Sequence, residues 1–262
     1  MRNKLFANCL FLMILTGIAN GQIINQRDAA GLRQGYWEAV DSQGGLVFAG
    51  YFKDNKPFGE MRRFFPTGEL RVIMDYYDDT GVNARVKFFY PSGGLAAEGN
   101  YINTRNDSVW TYYMQGAPLR VSSRVEYSEG KRNGIEQRFY LSGQLADETT
   151  WKNDLKEGAW KQYFLNGNLK LEATHANNKL EGAFTSYHPN GKKELEGFYI
   201  NGLPEGDWKR YDEDGNFMAT IKYHRGIITN TEELEEADII LIRKAMEPEQ
   251  FIPEITLEDF FR

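Results

Sequence analysis

The chain has 262 residues, with 31 Lys or Arg against 37 Asp or Glu and a formal charge of −6. A net-acidic chain is a poor general binder of nucleic acid or of an anionic membrane, because phosphate contacts need clustered Lys and Arg. The one cysteine, Cys9, lies in the first segment, so the rest can build neither a disulfide framework nor thiol chemistry.

Residues 1–21 read as a secretory signal. Arg2 and Lys4 make a short positive start, Leu5 to Leu15 an apolar core too short to span a bilayer, and Ala19-Asn20-Gly21 a small-residue cleavage site before Gln22. The segment holds no acid, so its removal takes the charge from −6 to −8. The expected destination is the periplasm or the exterior. Residues 22–34 are a lead-in.

From residue 35 to 226 the chain repeats. Two glycine-type positions recur nine residues apart, eight times. The opening positions are Gly35, Gly59, Ala84, Asp107, Gly134, Gly158, Gly182 and Gly206; the closing ones are Gly44, Gly68, Gly93, Gly116, Gly143, Gly167, Gly191 and Gly215. The last four units keep a 24-residue period. A period in this range signals a repeat architecture. Turn sequences such as Asn166-Gly167 join two short strands into a hairpin, because Gly and Asn tolerate the positive φ a tight turn needs. The second strand alternates, as in Leu70, Val72, Met74 and Tyr76, which predicts one buried face. A second turn follows in Asp54-Asn55, Asn153-Asp154, Asn177-Asn178 and Asn201-Gly202. Phe64, Phe89, Tyr112, Phe139, Tyr163, Tyr187 and Tyr211 fall five places after the opening position, and Trp37, Trp160, Phe184 and Trp208 two places after it. The two sets differ in parity, so either a bulge intervenes or the Trp packs across the hairpin start. Three extra residues near Ala117-Pro118-Leu119 mark the irregular point. The pattern predicts an all-β fold: an extended single-sheet solenoid of about eight β-hairpin repeats, roughly 75 Å long for sixteen strands at about 4.8 Å each.

The run Tyr199-Ile200-Asn201-Gly202-Leu203-Pro204-Glu205-Gly206-Asp207-Trp208-Lys209-Arg210-Tyr211 resembles the MORN repeat in its bacterial variant form. The likeness covers about residues 27 to 226 and is similar to the YwqK-type, antitoxin-like repeat proteins. It implies a non-enzymatic binding scaffold of the bacterial envelope with another envelope protein as partner. The alternatives are a glycan- or lipid-binding module and an antitoxin-like partner of a toxin. The candidate contact residues are Phe65, Tyr90, Tyr113, Tyr140 and Phe164. Each stands beside a second aromatic, and adjacent strand residues point to opposite faces, so one of each pair should be less buried.

Residues 227–262 form the last segment. Thr231 precedes Glu232-Glu233-Leu234 as a helix cap, and Leu234, Ile239, Ile240, Ile242 and Met246 recur at near-helical spacing, which predicts a short helix covering the sheet end. Residues 249–262 carry acidic and aromatic side chains that suit either a cap or a docking peptide. Unpaired sheet edges invite homo-oligomerisation. His175, His188 and His224 sit at three different repeat offsets, without metal-ligand spacing. Asp212-Glu213-Asp214-Gly215-Asn216 fits the repeat's own turn better than a calcium loop. The sequence offers no catalytic constellation and implies no cofactor.

Overall fold

The computed structural model describes residues 24–234 and 239–240. The signal segment, nearly all of the predicted terminal helix and the 249–262 tail lie outside the described residues. The strands run β1 (Gln26–Arg27), β2 (Arg33–Val40), β3 (Leu46–Lys53), β4 (Lys56–Phe64), β5 (Leu70–Tyr76), β6 (Ala84–Phe89), β7 (Leu95–Ile102), β8 (Arg105–Tyr113) and β9 (Val121–Ser128). They continue as β10 (Lys131–Phe139), β11 (Leu145–Lys152), β12 (Leu155–Tyr163), β13 (Leu169–Ala176), β14 (Lys179–Tyr187), β15 (Lys193–Ile200), β16 (Leu203–Tyr211), β17 (Phe217–His224) and β18 (Ile227–Ile228). Each pairs antiparallel with its neighbours in sequence. Strands pack appreciably only against those neighbours, so the described residues form one open layer.

The turns explain the spacing. All eight closing glycines have positive φ. The second turns are two-residue turns with positive φ at both centres, as at Asp54 (51°) and Asn55 (66°), or Asn177 (50°) and Asn178 (67°). Asn103-Thr104, Glu129-Gly130 and Arg225-Gly226 do the same, the two non-Asn leads at some local cost. Between β5 and β6 a longer loop replaces the tight turn, held by Asn83 Nδ2 donating to Asp78 Oδ2 at 2.6 Å. Neighbouring turns also bond each other. The amides of Arg33, Arg132 and Lys156 donate to the side-chain oxygens of Asn55, Asp154 and Asn178 at 2.7–2.9 Å. Asn177, Asn201 and Arg225 amides reach Glu157, Glu181 and Glu205.

The fourth unit corrects the sequence register. Its opening position is Ser108, with φ 60°, and not Asp107. Ser108 pairs with Tyr127 as Gly134 pairs with Trp151 and Gly158 with His175. Counting back nine from Gly116 misplaces it, because the turn of this unit is built differently: Met114 N bonds Arg120 O across a longer loop. With Ser108 as origin, Trp110 takes the two-place position and Tyr113 the five-place position. Ala84 is an opening residue without positive φ.

Parity then resolves itself. The Trp position lies in the inner row and the five-place aromatics in the outer one, where Tyr113, Tyr187 and Tyr211 hydroxyls donate to Glu98, Glu172 and Glu196 at 2.6–2.7 Å. A register shift also falls just before the five-place residue in most units, for example between Gln162 and Tyr163. Of the two expected devices, the bulge is the one present.

The open ends are capped by asparagines. Asn25 N donates to Tyr36 O and Asn25 Oδ1 accepts from Glu38 N, both at 2.9 Å. At the other end Asn230 Oδ1 accepts from Lys222 N, and its Nδ2 donates to Thr220 O, both at 2.9 Å. Each side chain takes up edge groups that would otherwise template another strand. Asn230, not Thr231, precedes the short 3-10 turn Thr231–Glu233, and it makes no side-chain cap there because its amide serves β17.

Candidate interaction surface

Cross-strand pairing lines up one inner row along the whole sheet. It runs Trp37, Gly50, Met61, Met74, Val86, Gly99, then Trp110, Val125, Glu136, Thr149, Trp160, Ala173, Phe184, Gly197, then Trp208 and Ile221. At Gly99 and Gly197 the register slips and the next indole lies flat on the backbone. A Cβ would stand 2.3 Å from Trp110 at one and 2.1 Å from Trp208 at the other. Only glycine admits that contact, and it buries both indoles completely.

Two apolar blocks result. One spans Phe52 to Val125 and the other Leu171 to Tyr223. Between them the inner face turns polar. Glu136, Asp147, Thr149, Gln162 and His175 are buried there. Asp147 is the hub: Oδ1 accepts from Thr149 Oγ1 at 2.9 Å, and Oδ2 accepts from Trp160 Nε1 at 2.8 Å and Gln162 Nε2 at 3.4 Å. Glu136 Oε1 accepts from Arg138 Nε at 2.8 Å. The Arg132 guanidinium lies 3.6 Å over the Trp151 ring. Burial, helped by the nearby Lys156 charge, holds the His175 imidazole below its ordinary value of 6.5, against the pull of Asp147. Next to the cluster, Tyr112 and Tyr127 hydroxyls meet at 3.1 Å, and burial pushes Tyr112 far up. Glu136 Oε2, Trp151 Nε1 and His175 Nδ1 make no hydrogen bond within the protein, though the Arg132 guanidinium stands 3.9 Å from Glu136 Oε2. The cluster is tightly closed and sits inside the sheet's own packing.

The five sequence candidates are drawn into the same packing. Tyr90 and Tyr113 are buried, and Phe65, Tyr140 and Phe164 are half-buried. Their neighbours Phe64, Phe89, Tyr112, Phe139 and Tyr163 are buried or half-buried too, so neither member of a pair is exposed. The physical reason is stapling between units: Tyr90 Oη donates to Tyr113 O, and Tyr140 Oη to Tyr163 O, both at 2.7 Å. His188 Nε2 takes the same position against Tyr211 O at 3.0 Å. Tyr113 instead reaches the outer face, where burial and then Glu98 push its hydroxyl up to about 12.

The outer face carries a second row, which from Lys87 onward is polar throughout: Glu98, Thr111, Arg124, Gln137, Glu148, Lys161, Glu172, Thr185, Glu196, Lys209 and Thr220. Beside the N-terminal end of this row, Tyr36, Tyr51 and Phe58 cluster with ring centroids 5.1 and 5.8 Å apart. Among the described residues no group of three or more His, Cys, Asp or Glu is arranged to hold a metal ion. No helix among them is long and apolar enough to cross a membrane.

Four stretches, residues 83–103, 132–153, 156–177 and 180–201, match the family described as MORN repeat variant. A search of curated proteins finds no match. The matched stretches each span one closing-glycine turn with its two flanking strands, at Gly93, Gly143, Gly167 and Gly191, and end on the first residue of the second turn. MORN repeats are generally interaction and binding modules.

Proposed function

We propose that this protein is a non-enzymatic interaction scaffold that binds another protein of the bacterial envelope. One observation carries the reading. The inner face is spent on its own packing, while from Lys87 onward the outer row presents polar and charged side chains strand after strand, a surface suited to an extended partner rather than to a small substrate. The apolar leader of residues 1–21 supports an envelope location. A sugar-stacking role is less favoured, because Trp110, Trp151 and Trp208 are buried and Trp151 is covered by Arg132.

The test is affinity capture. The chain from residue 22 onward is fixed on resin, solubilised envelope is passed over it, and retained proteins are identified by mass spectrometry. One protein held in near-stoichiometric amount is the expected result. Failure to retain any protein at physiological salt, with the resin-bound chain folded by circular dichroism, removes the scaffold reading.

A further inference from the structure

One long edge of the sheet carries exposed apolar residues at successive turn tips. They are Pro66, Pro91, Leu119, Leu141, Leu165 and Pro189. The three leucines are 71, 63 and 57 % exposed. The first tip, Asp41-Ser42-Gln43, and the last, Glu213-Asp214, are polar and bracket the seam. Leu119 sits in the irregular fourth loop, which is tied to the next tip by Arg120 NH1 donating to Leu141 O at 2.6 Å. Leu119 has φ 59°, a strained backbone for a leucine that nothing shields. Beside it opens a groove of about 510 Å³ lined by Pro118, Leu119, Val121, Arg124 and Phe139.

Cations flank this seam although the chain is acidic. Arg120 is held by a carbonyl, Arg124 lies over the Phe139 ring at 5.5 Å, and Lys192 Nζ donates to Asp214 O at 2.6 Å. Carbonyls and rings orient a cation without neutralising it.

We infer that this seam docks an amphipathic helix of a partner protein, with leucine-like residues at heptad spacing flanked by Glu or Asp. The inference rests on the scaffold reading and names its surface and partner class. Equivalent tips are two strands apart, about 9.6 Å. A helix returns to the same stripe every seven residues, about 10.5 Å, so Leu141 and Leu165 stay in register with two heptad positions. Leu119, three residues past its closing Gly116 in the longer preceding loop, adds a further apolar contact beside the groove. An extended strand suits the edge poorly, because the sheet's amides and carbonyls are already paired laterally and offer no ladder to join. A helix brings its own backbone bonds. Acids on the partner match Arg120, Arg124 and Lys192, and one large apolar side chain fills the groove.

The probe is a fluorescein-labelled, side-chain-stapled 28-residue helix with Leu at every seventh position flanked by Glu, titrated against the full chain by anisotropy. A control peptide carries Lys in place of Glu. Saturable binding of the Glu peptide, at least tenfold tighter than the Lys peptide, is expected. The triple variant Leu119→Ser, Leu141→Ser, Leu165→Ser should lose at least tenfold. All three sites are exposed, and an unchanged circular dichroism spectrum confirms the fold. Arg120→Glu with Arg124→Glu should reverse the preference toward the Lys peptide, a readout that misfolding cannot produce. Equal binding of both peptides, or binding untouched by the triple variant, overturns the inference. Binding of the same leucines to phosphatidylcholine–phosphatidylglycerol vesicles, with neither peptide bound, assigns the seam to lipid and overturns it as well. A captured envelope protein retained equally by wild type and triple variant leaves the scaffold standing and sinks the seam alone.

Discussion

The first four hairpins and the last four are built on one plan and stabilised differently. Units five to eight keep a 24-residue period and contain three of the four stretches that match the repeat family. Units one to four contain the long loop before β6, the Ser108 opening and the Leu119 loop. Yet the irregular half holds the larger apolar core, thirteen buried residues against eight. Sequence regularity here records turn geometry, which the backbone enforces at every unit. Burial records what each unit puts on the inner row, and there Met61, Met74 and Val86 do as well as the Trp of the regular units. Each unit contacts only its neighbours, so the polar stretch from Glu136 to His175 divides the sheet into two blocks of apolar packing.

The largest test of that division is Trp208→Ala. Emptying a fully buried indole site costs about 3–5 kcal/mol, and the loss should stay within β13 to β17. Hydrogen exchange read by mass spectrometry should show lost protection across residues 169–224 and little change across residues 48–125. Equal loss in both regions would mean that the polar stretch transmits stability as well as the apolar rows do.

Glycines sharpen the comparison next. Gly197→Ala drives a methyl into the rigid indole at 2.1 Å and should cost about 1–3 kcal/mol. Gly50→Ala meets Met61 Cβ at 3.0 Å and its backbone Cα at 3.1 Å, atoms no rotamer change can move, but the overlap is a few tenths of an ångström, so its cost should stay smaller, near about 1 kcal/mol. Urea midpoints of the two variants give the ratio. A Gly50→Ala penalty as large as that of Gly197→Ala would show that the N-terminal block is packed as rigidly as its partner.

Much of this plan is legible in the residues. Turns are readable because positive φ narrows the choice to Gly, Asn and Asp, and Asn177-Asn178 or Asn201-Gly202 announce themselves. The fourth unit misleads because Ser108 adopts the glycine conformation without being glycine. The inner row is harder to see. Glu136 and Thr149 stand where other units carry Met, Val or Trp, and alternation within one strand gives them no mark. Aligning the units column by column exposes them. The candidate aromatics mislead for another reason: side chains beside a turn pack along the edge between units, so strand parity does not govern them, as the Tyr90 and Tyr140 staples show. Leu141 and Leu165 were visible as the first residues of adjacent tips, but composition gives no reason to separate them from core leucines.

The polar middle should also respond to pH where the apolar blocks do not. His175 occupies the column that holds Tyr76, Tyr101, Tyr127, Tyr199 and Tyr223 in other units. Burial favours its neutral form, so the folded pKa lies below 6.5 and the unfolded chain binds the extra proton first. Stability is therefore full above pH 6.5 and falls as the pH drops through that value, by at most about 1.4 kcal/mol per pH unit for one proton. Thermal midpoints at pH 7.5 and 5.5 should separate for the wild type and draw together in His175→Tyr, which restores the column's usual residue. An unchanged pH response in that variant would place the titrating group elsewhere.

The smallest expected effect is a gain. Leu119 holds a left-handed backbone at 71 % exposure, so it bears the steric cost of that conformation without the burial that usually offsets one. Asparagine enters the left-handed region more readily, and Leu119→Asn should raise stability by about 0.5–1 kcal/mol. Differential scanning calorimetry would read this as a small rise in Tm. A proposed docking leucine predicts the opposite sign for binding, so the same variant should weaken the Glu-flanked peptide while stabilising the fold. Stability and binding that move together would show the loop's shape to be held by its own packing, and the strain would then be a consequence of the three-residue insertion rather than a cost tolerated to present Leu119.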